Sequence, residues 1–200
     1  MLHEVFPAIR STFVLAAFTG IAFPIVITAI CQLTFPRQAD GSLIQQDKKI
    51  IGSSILGQTF TRSEYFHPRP SAAGSGYAGE ASSGTNFGPT SKKLILGDQT
   101  FLGVQQLADS YRKENNLPAN KLVPVDAVTR SASGLDPDIT PANAHYQLER
   151  VAKARNLSSQ TVAELIKRHT SNREFGVLGE PKVNVLQLNL SLDAIPSMNK

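Results

Sequence analysis

The sharpest feature of the hydropathy pattern is an apolar run near the start of the chain. Residues 11–36 carry no charged side chain, and Arg10 and Arg37 bracket them. Phe, Val, Leu and Ile fill about half of Phe13–Leu33. At about 1.5 Å per residue the run exceeds the hydrocarbon core of about 30 Å, which predicts a transmembrane helix over 11–36 behind a flank of residues 1–10. Pro24 falls mid-segment, where a membrane helix tolerates it. A cleaved signal peptide has a shorter apolar core and small residues at its cut site. Thr28-Ala29-Ile30-Cys31 lacks the small residue before cysteine that a lipoprotein box needs. Ala16 and Gly20, four apart, offer a small-residue contact face.

Beyond Arg37 the pattern changes to alternating short signals. Ile50–Gln58 reads as a loop entering a short strand. Residues 61–90 are rich in Pro and Gly, which excludes regular helix or central strand, while the interleaved aromatics argue for an ordered loop. Thr90 or Ser91 caps a helix predicted to run to about Asn115, with Gly97 as its weak point. Leu122–Thr129 reads as extended, and Ser131–Ile139 as a second Gly/Pro-punctuated loop. Thr140 then caps a helix opening on Pro141 and closing at Asn156, and Ser158 starts another. In Val183–Leu192 four leucines alternate with polar residues, the pattern of a half-buried strand. The fold class expected is α+β: one membrane helix, then a single compact soluble domain over 37–200, with helices on a short, mainly antiparallel sheet.

Charge and composition add little chemistry. The net charge of +4 is spread along the domain. Its densest cluster, Arg150, Lys153, Arg155, Lys167, Arg168 and Arg173, reads as a solvated helix face rather than a nucleic-acid surface. Cys31 is the sole cysteine and lies in the apolar run, so the domain has no disulfide. There is no Gly-x4-Gly-Lys-Ser/Thr run, no dinucleotide fingerprint and no Gly-x-Ser-x-Gly. His3, His67, His145 and His169 are scattered without metal-ligand spacing, and no metal ligand is expected. His67 reads as a turn residue, His145 and His169 as exposed helix residues, and Asp136 and Asp138 as turn and cap residues before Pro141. Nothing here builds an enzyme by itself; the pattern is that of a membrane-tethered accessory.

The loops carry a recognisable signature. Tyr65-Phe66-His67-Pro68-Arg69-Pro70-Ser71-Ala72, then Tyr77 and Ser83-Gly84-Thr85-Asn86-Phe87-Gly88-Pro89-Thr90, form its first part. Val123–Thr129, Ser131–Pro137, Gln147-x-x-Arg150–Arg155 and Val183-Asn184-Val185-Leu186-x-Leu188-Asn189 follow in order. Together they resemble the C subunits of the bacterial Kdp potassium-transporting ATPases, the KdpC family, over essentially the whole chain. Ser83 and Thr85 stand where that family more often has Gly and Ser, and Phe87 where it has Leu.

The resemblance implies a non-catalytic subunit of a high-affinity potassium uptake complex in the bacterial inner membrane. Its partners would be a channel-like potassium-binding subunit, an ATP-hydrolysing P-type subunit and a small single-span subunit. Potassium would be the transported ion, and ATP would be bound on or shared with the hydrolysing subunit. Two mechanisms attach to the family. In one, this subunit raises the ATP affinity of its partner through a glutamine and a Ser-Gly-Leu-Asp-Pro loop, here Gln147 and Ser133, Gly134, Leu135, Asp136 and Pro137. In the other, the domain lies outside the cytoplasm over the potassium entrance and meets no nucleotide. Arg37, Lys48 and Lys49 outnumber Arg10 across the span, yet large domains translocate largely regardless of such bias. The resemblance points to the extracytoplasmic placement. For docking, Tyr65, Phe66, Arg69 and Tyr77 are of the types that dominate binding hot spots, and Asn86 and Phe87 complete the expected partner surface.

Overall fold

A computed structural model describes residues 2–195. The chain divides into two compact units, Met1–Ser53 and Ser54–Lys200.

In the first unit, α1 (Leu2–Ala17), a π-helical turn (Phe18–Ala22) and α2 (Phe23–Thr34) follow without a break. His3–Thr34 is thus one helix of 32 residues, long and apolar enough to cross a membrane. It starts earlier than the charge pattern predicts, because helix geometry continues through the polar first turns. Pro24 has no N–H to give to the preceding turn. The ladder widens ahead of it, with Phe23 N bonding Phe18 O. Thr12, Thr19 and Thr34 each donate their hydroxyl to the carbonyl four residues back, which removes three polar groups from the apolar surface. After α3 (Pro36–Ala39) comes a hairpin of β1 (Leu43–Gln46) and β2 (Lys49–Ser53). Asp47 and Lys48 both have positive φ, +51° and +63°, as a two-residue turn matched to strand twist requires. The strand expected over 50–58 therefore lies earlier and is paired.

The second unit holds α4 (Lys92–Leu96), α5 (Val104–Glu114), β3 (Asp138–Ile139), α6 (Pro141–Arg155), α7 (Ser159–Arg168), β4 (Thr170–Ser171), β5 (Lys182–Asn184) and α8 (Val185–Asp193). The sheet order is β3-β5-β4, antiparallel throughout. Phe66, Ile139, Val151, Val162, Ile166, Val183, Leu188 and Leu192 form the main core. Ala108, Tyr111, Ala127 and Val128 form a smaller one. The class is α+β, as the pattern indicates.

Three elements differ from their expectation. The helix predicted over 90–115 is two helices, because Gly97 takes φ +79°, a region its Cβ-free backbone enters easily, and the chain leaves the helical path until Gly103. Leu122–Thr129 is extended only to Pro124, after which Val125–Ala127 forms a 3-10 turn. The largest difference is Val183–Leu192. Only Lys182–Asn184 is strand; the leucines lie on α8, where Val185, Leu188, Asn189 and Leu192 also satisfy helical spacing and are buried. Asn184 settles the choice by capping: its Oδ1 accepts from Gln187 N at 3.0 Å.

Candidate functional site

The 61–90 loop has little regular structure, so its backbone groups need partners from elsewhere. Helices supply them. Asn189 on α8 accepts from Phe66 N at 2.8 Å and donates to Phe66 O at 2.9 Å. Gln147 on α6 does the same for the next residue, accepting from His67 N at 2.7 Å and donating to His67 O at 3.0 Å. Two carboxamides thus imitate the edge of a strand. Arg150, one turn along α6, donates to the carbonyls of Ser63 (2.6 Å) and Tyr65 (2.9 Å), to Gln147 Oε1 (2.7 Å) and to Asn115 Oδ1 (3.1 Å). Arg155 donates to Glu64 O and Asp193, both at 2.7 Å. The network continues through Asn143, which accepts from Gln147 and Tyr111 and donates to Asp126. Gln147, Asn143 and Asn189 are each 1% exposed.

Three sequence readings are corrected. Arg150 belongs to no solvated face: it is 8% exposed. Arg155 is also engaged, while Lys153, Lys167, Arg168 and Arg173 are exposed. His67 is more than a turn residue. Its Nδ1 lies 2.6 Å from Glu114 Oε1, and its Nε2 is 3.0 Å from Arg62 O. His145 is exposed as expected, but His169 is half-buried against Ser191, and burial holds it below its ordinary value.

Glu114 closes this end of the clamp. Burial pushes its carboxyl up, but His67 and then Arg150 outweigh that and hold it below the usual carboxylate range. The unfolded chain, with a value of about 4.3, therefore takes up the proton first. The contribution of Glu114 to stability is complete above that value and is lost as pH falls through the folded one. Melting measured between pH 6 and pH 3 is expected to fall more steeply for the wild type than for Glu114→Gln. Parallel curves would show that the contact contributes nothing.

The second loop docks on the first. Arg69 Nη1 meets Asp136 Oδ2 at 2.7 Å, and its other nitrogens reach Thr129 O at 3.3 Å. Ser71 Oγ donates to Gly134 O at 2.6 Å and accepts from Ala73 N and Tyr77 N. Ser83 N donates to Ser133 O, and Gly57 N to Leu135 O. Gly134 has φ +69°, and a Cβ there would stand 2.7 Å from both Ala73 N and Ser83 O, so only glycine lets the loops close. Pro137 O accepts from Val185 N at the start of α8.

The expected nucleotide residues are thus split by environment. Gln147 is enclosed with both amide atoms engaged, and a ligand reaching it would have to displace the His67 backbone. Ser133–Pro137 form the seam between loops. Among the expected partner residues, Phe66 is 0% exposed and is a core side chain. Tyr65 is half-buried, its hydroxyl on Asp193 and its ring under Arg62 and Arg155. The Tyr77 hydroxyl donates to Arg69 O at 2.7 Å, and burial raises its pKa. Asn86 (φ +55°) turns the chain into Phe87, which packs edge-on against Phe101 at 5.2 Å and stays partly exposed. Among the described residues no group of three or more His, Cys, Asp or Glu is placed to hold a metal ion.

Residues 5–194 match the family KdpC, described as "K+-transporting ATPase, c chain". This chain belongs to the KdpC family. The KdpC subunit of a potassium-transporting ATPase from Mycobacterium tuberculosis (strain ATCC 25618 / H37Rv) is 51% identical over 195 residues, covering 98% of this chain and 100% of that protein. The corresponding subunit of Acidobacterium capsulatum is 50% identical over 186 residues, covering 93% and 95%. That of Herpetosiphon aurantiacus is 48% identical over 195 residues, covering 96% and 97%. In this KdpC chain, sequence reasoning missed Asn115, Asn143, Arg150 and Asn189 as a set. The available signal was Gln147, three residues from Ala144 and four from Val151 on α6, and Asn189, four from Val185 on α8.

Proposed function

We propose that this chain is a non-catalytic accessory subunit of an ATP-driven potassium uptake complex. It is held in the membrane by the single span His3–Thr34 and needed for the assembly and activity of its partners. The observation that carries the reading is the family match over residues 5–194. The partners are the channel-like potassium-binding subunit, the hydrolysing P-type subunit and the small single-span subunit, in a bacterial inner membrane.

In this reading nucleotide stays with the hydrolysing subunit, and Gln147 and Ser133–Pro137 act as the joint of the two loops. Two features support it. Gln147 has no free amide atom to offer. The nearby cavity of about 350 Å³ is lined by Asp126, Asp136, Asp138 and Glu180 against only Arg69 and Lys182, a balance that repels a triphosphate. The larger unit then lies outside the cytoplasm, near potassium entry.

The test is topology in intact cells co-expressing the partner subunits, with Cys31→Ser and Ser159→Cys. Labelling of Ser159→Cys by a membrane-impermeant thiol reagent is expected. Protection until the membrane is opened would overturn the placement and make Gln147 and Ser133–Pro137 the residues to mutate for ATP affinity. A complex that keeps full potassium-stimulated ATP hydrolysis without this chain would overturn the accessory role.

A further inference from the structure

Between β4 and β5 the chain projects Arg173-Glu174-Phe175-Gly176-Val177-Leu178-Gly179-Glu180. This segment is apolar where it is most exposed: Phe175 is 91%, Val177 72% and Leu178 59% exposed. Consecutive large apolar residues this open are uncommon on a solvated surface and mark interaction sites.

The segment is also held in shape. Glu174 N donates to Leu178 O and Leu178 N to Glu174 O, both at 2.9 Å. Arg173 Nη2 bonds both oxygens of Glu180 at 2.8 Å and closes the base. The strands on either side root it in the sheet, where Val183 is 0% exposed. Phe175 itself takes φ +52°, a conformation that bulky residues avoid and that recurs where function requires it. The turn and the ion pair at its base fix the segment with its apolar side chains outward.

The rim selects the occupant. A loop that inserts into an anionic lipid surface carries Lys or Arg beside its apolar tip. Here Arg173 is paired with Glu180 and Lys182 with Asp138, which leaves Glu174 as the charge beside the tip and, among the described residues of this segment, no cation free for lipid. We propose that Phe175–Leu178 is a pre-formed plug that seats in an apolar, basic-rimmed socket on a partner protein of the complex. The proposal rests on the accessory-subunit reading above. Pre-organisation suits the role, because a plug that is already ordered loses little freedom on docking. The three side chains are exposed, so they contribute little to the fold of the chain alone.

The test uses the full chain co-expressed with the partner subunits and purified through a tag on the hydrolysing subunit. Phe175→Ser/Val177→Ser/Leu178→Ser together are expected to cut the chain retained by about tenfold, as when a central apolar anchor is lost. The thermal melting of the variant chain alone is expected to match the wild type. Benzoyl-phenylalanine introduced in place of Val177 is expected to cross-link to a partner subunit. Equal retention of wild type and triple variant overturns the plug and leaves the accessory role intact. Cross-linking only to lipid or to a second copy of the chain also overturns it. Failure of the wild type itself to be retained overturns the accessory reading, and the plug with it.

Discussion

Arg150→Met is expected to lower the unfolding free energy by about 3–5 kcal/mol, the cost typical of breaking a buried charge network from one side. Methionine replaces the aliphatic stem, so packing is nearly kept. What is lost is the fork of donors. The carbonyls of Ser63 and Tyr65, the oxygen of Gln147 and that of Asn115 all lose a partner at once. Glu114 also loses the cation 3.6 Å away. Buried acceptors left without donors keep their full desolvation cost. Arg150→Lys is expected to recover only part of this, because one ammonium cannot reach both the loop carbonyls and the side-chain amides. Urea unfolding of the full chain in detergent is the measurement. A loss of under about 1 kcal/mol, the range of exposed ion pairs, would mean that the network is solvated in solution.

Phe66→Ala is expected to cost about as much, roughly 3–5 kcal/mol, through lost burial and the cavity left behind. Phe66 is enclosed by the main core while its backbone is gripped by Asn189, so the chain cannot easily collapse into the gap. Phe66→Leu, which keeps most of the volume, is expected to cost about 1.5 kcal/mol or less. The effect appears in the isolated chain, before any partner is added. If Phe66→Ala leaves that chain's stability unchanged and weakens only assembly, the side chain is a docking anchor rather than a core residue.

Local signals carried the reading where they agreed with one another. Thr140, Pro141 and Asn156 mark both ends of α6, and each does what its type does best: cap, first-turn proline and left-handed stop at φ +55°. The membrane helix is legible for a different reason, since length and absence of charge suffice. Val183–Leu192 was misleading because a leucine run with alternate polar residues fits periods of both 2 and 3.6. The deciding cap at Asn184 is a single side chain. The clamp was legible only in part. Gln147 and Asn189 fall on the apolar faces of their helices beside Ala144, Leu148 and Val185, but what they and Arg150 meet, residues 63–67, lies far away in sequence. Long-range polar satisfaction leaves no periodic trace.

That separation sets an order of events during synthesis. Phe66 waits for Asn189, 123 residues later, and His67 for Gln147, 80 residues later. A chain emerges from the ribosome amino end first, at about 5–20 residues per second. The apolar span is therefore available to the insertion machinery several seconds before the last helix exists. Residues 63–67 find Gln147 and Arg150 once α6 has emerged, but until α8 appears Phe66 lacks the side chain that holds its backbone. Anchoring precedes closure, and a nascent chain cut short of Val185 would reach the membrane with its body still open.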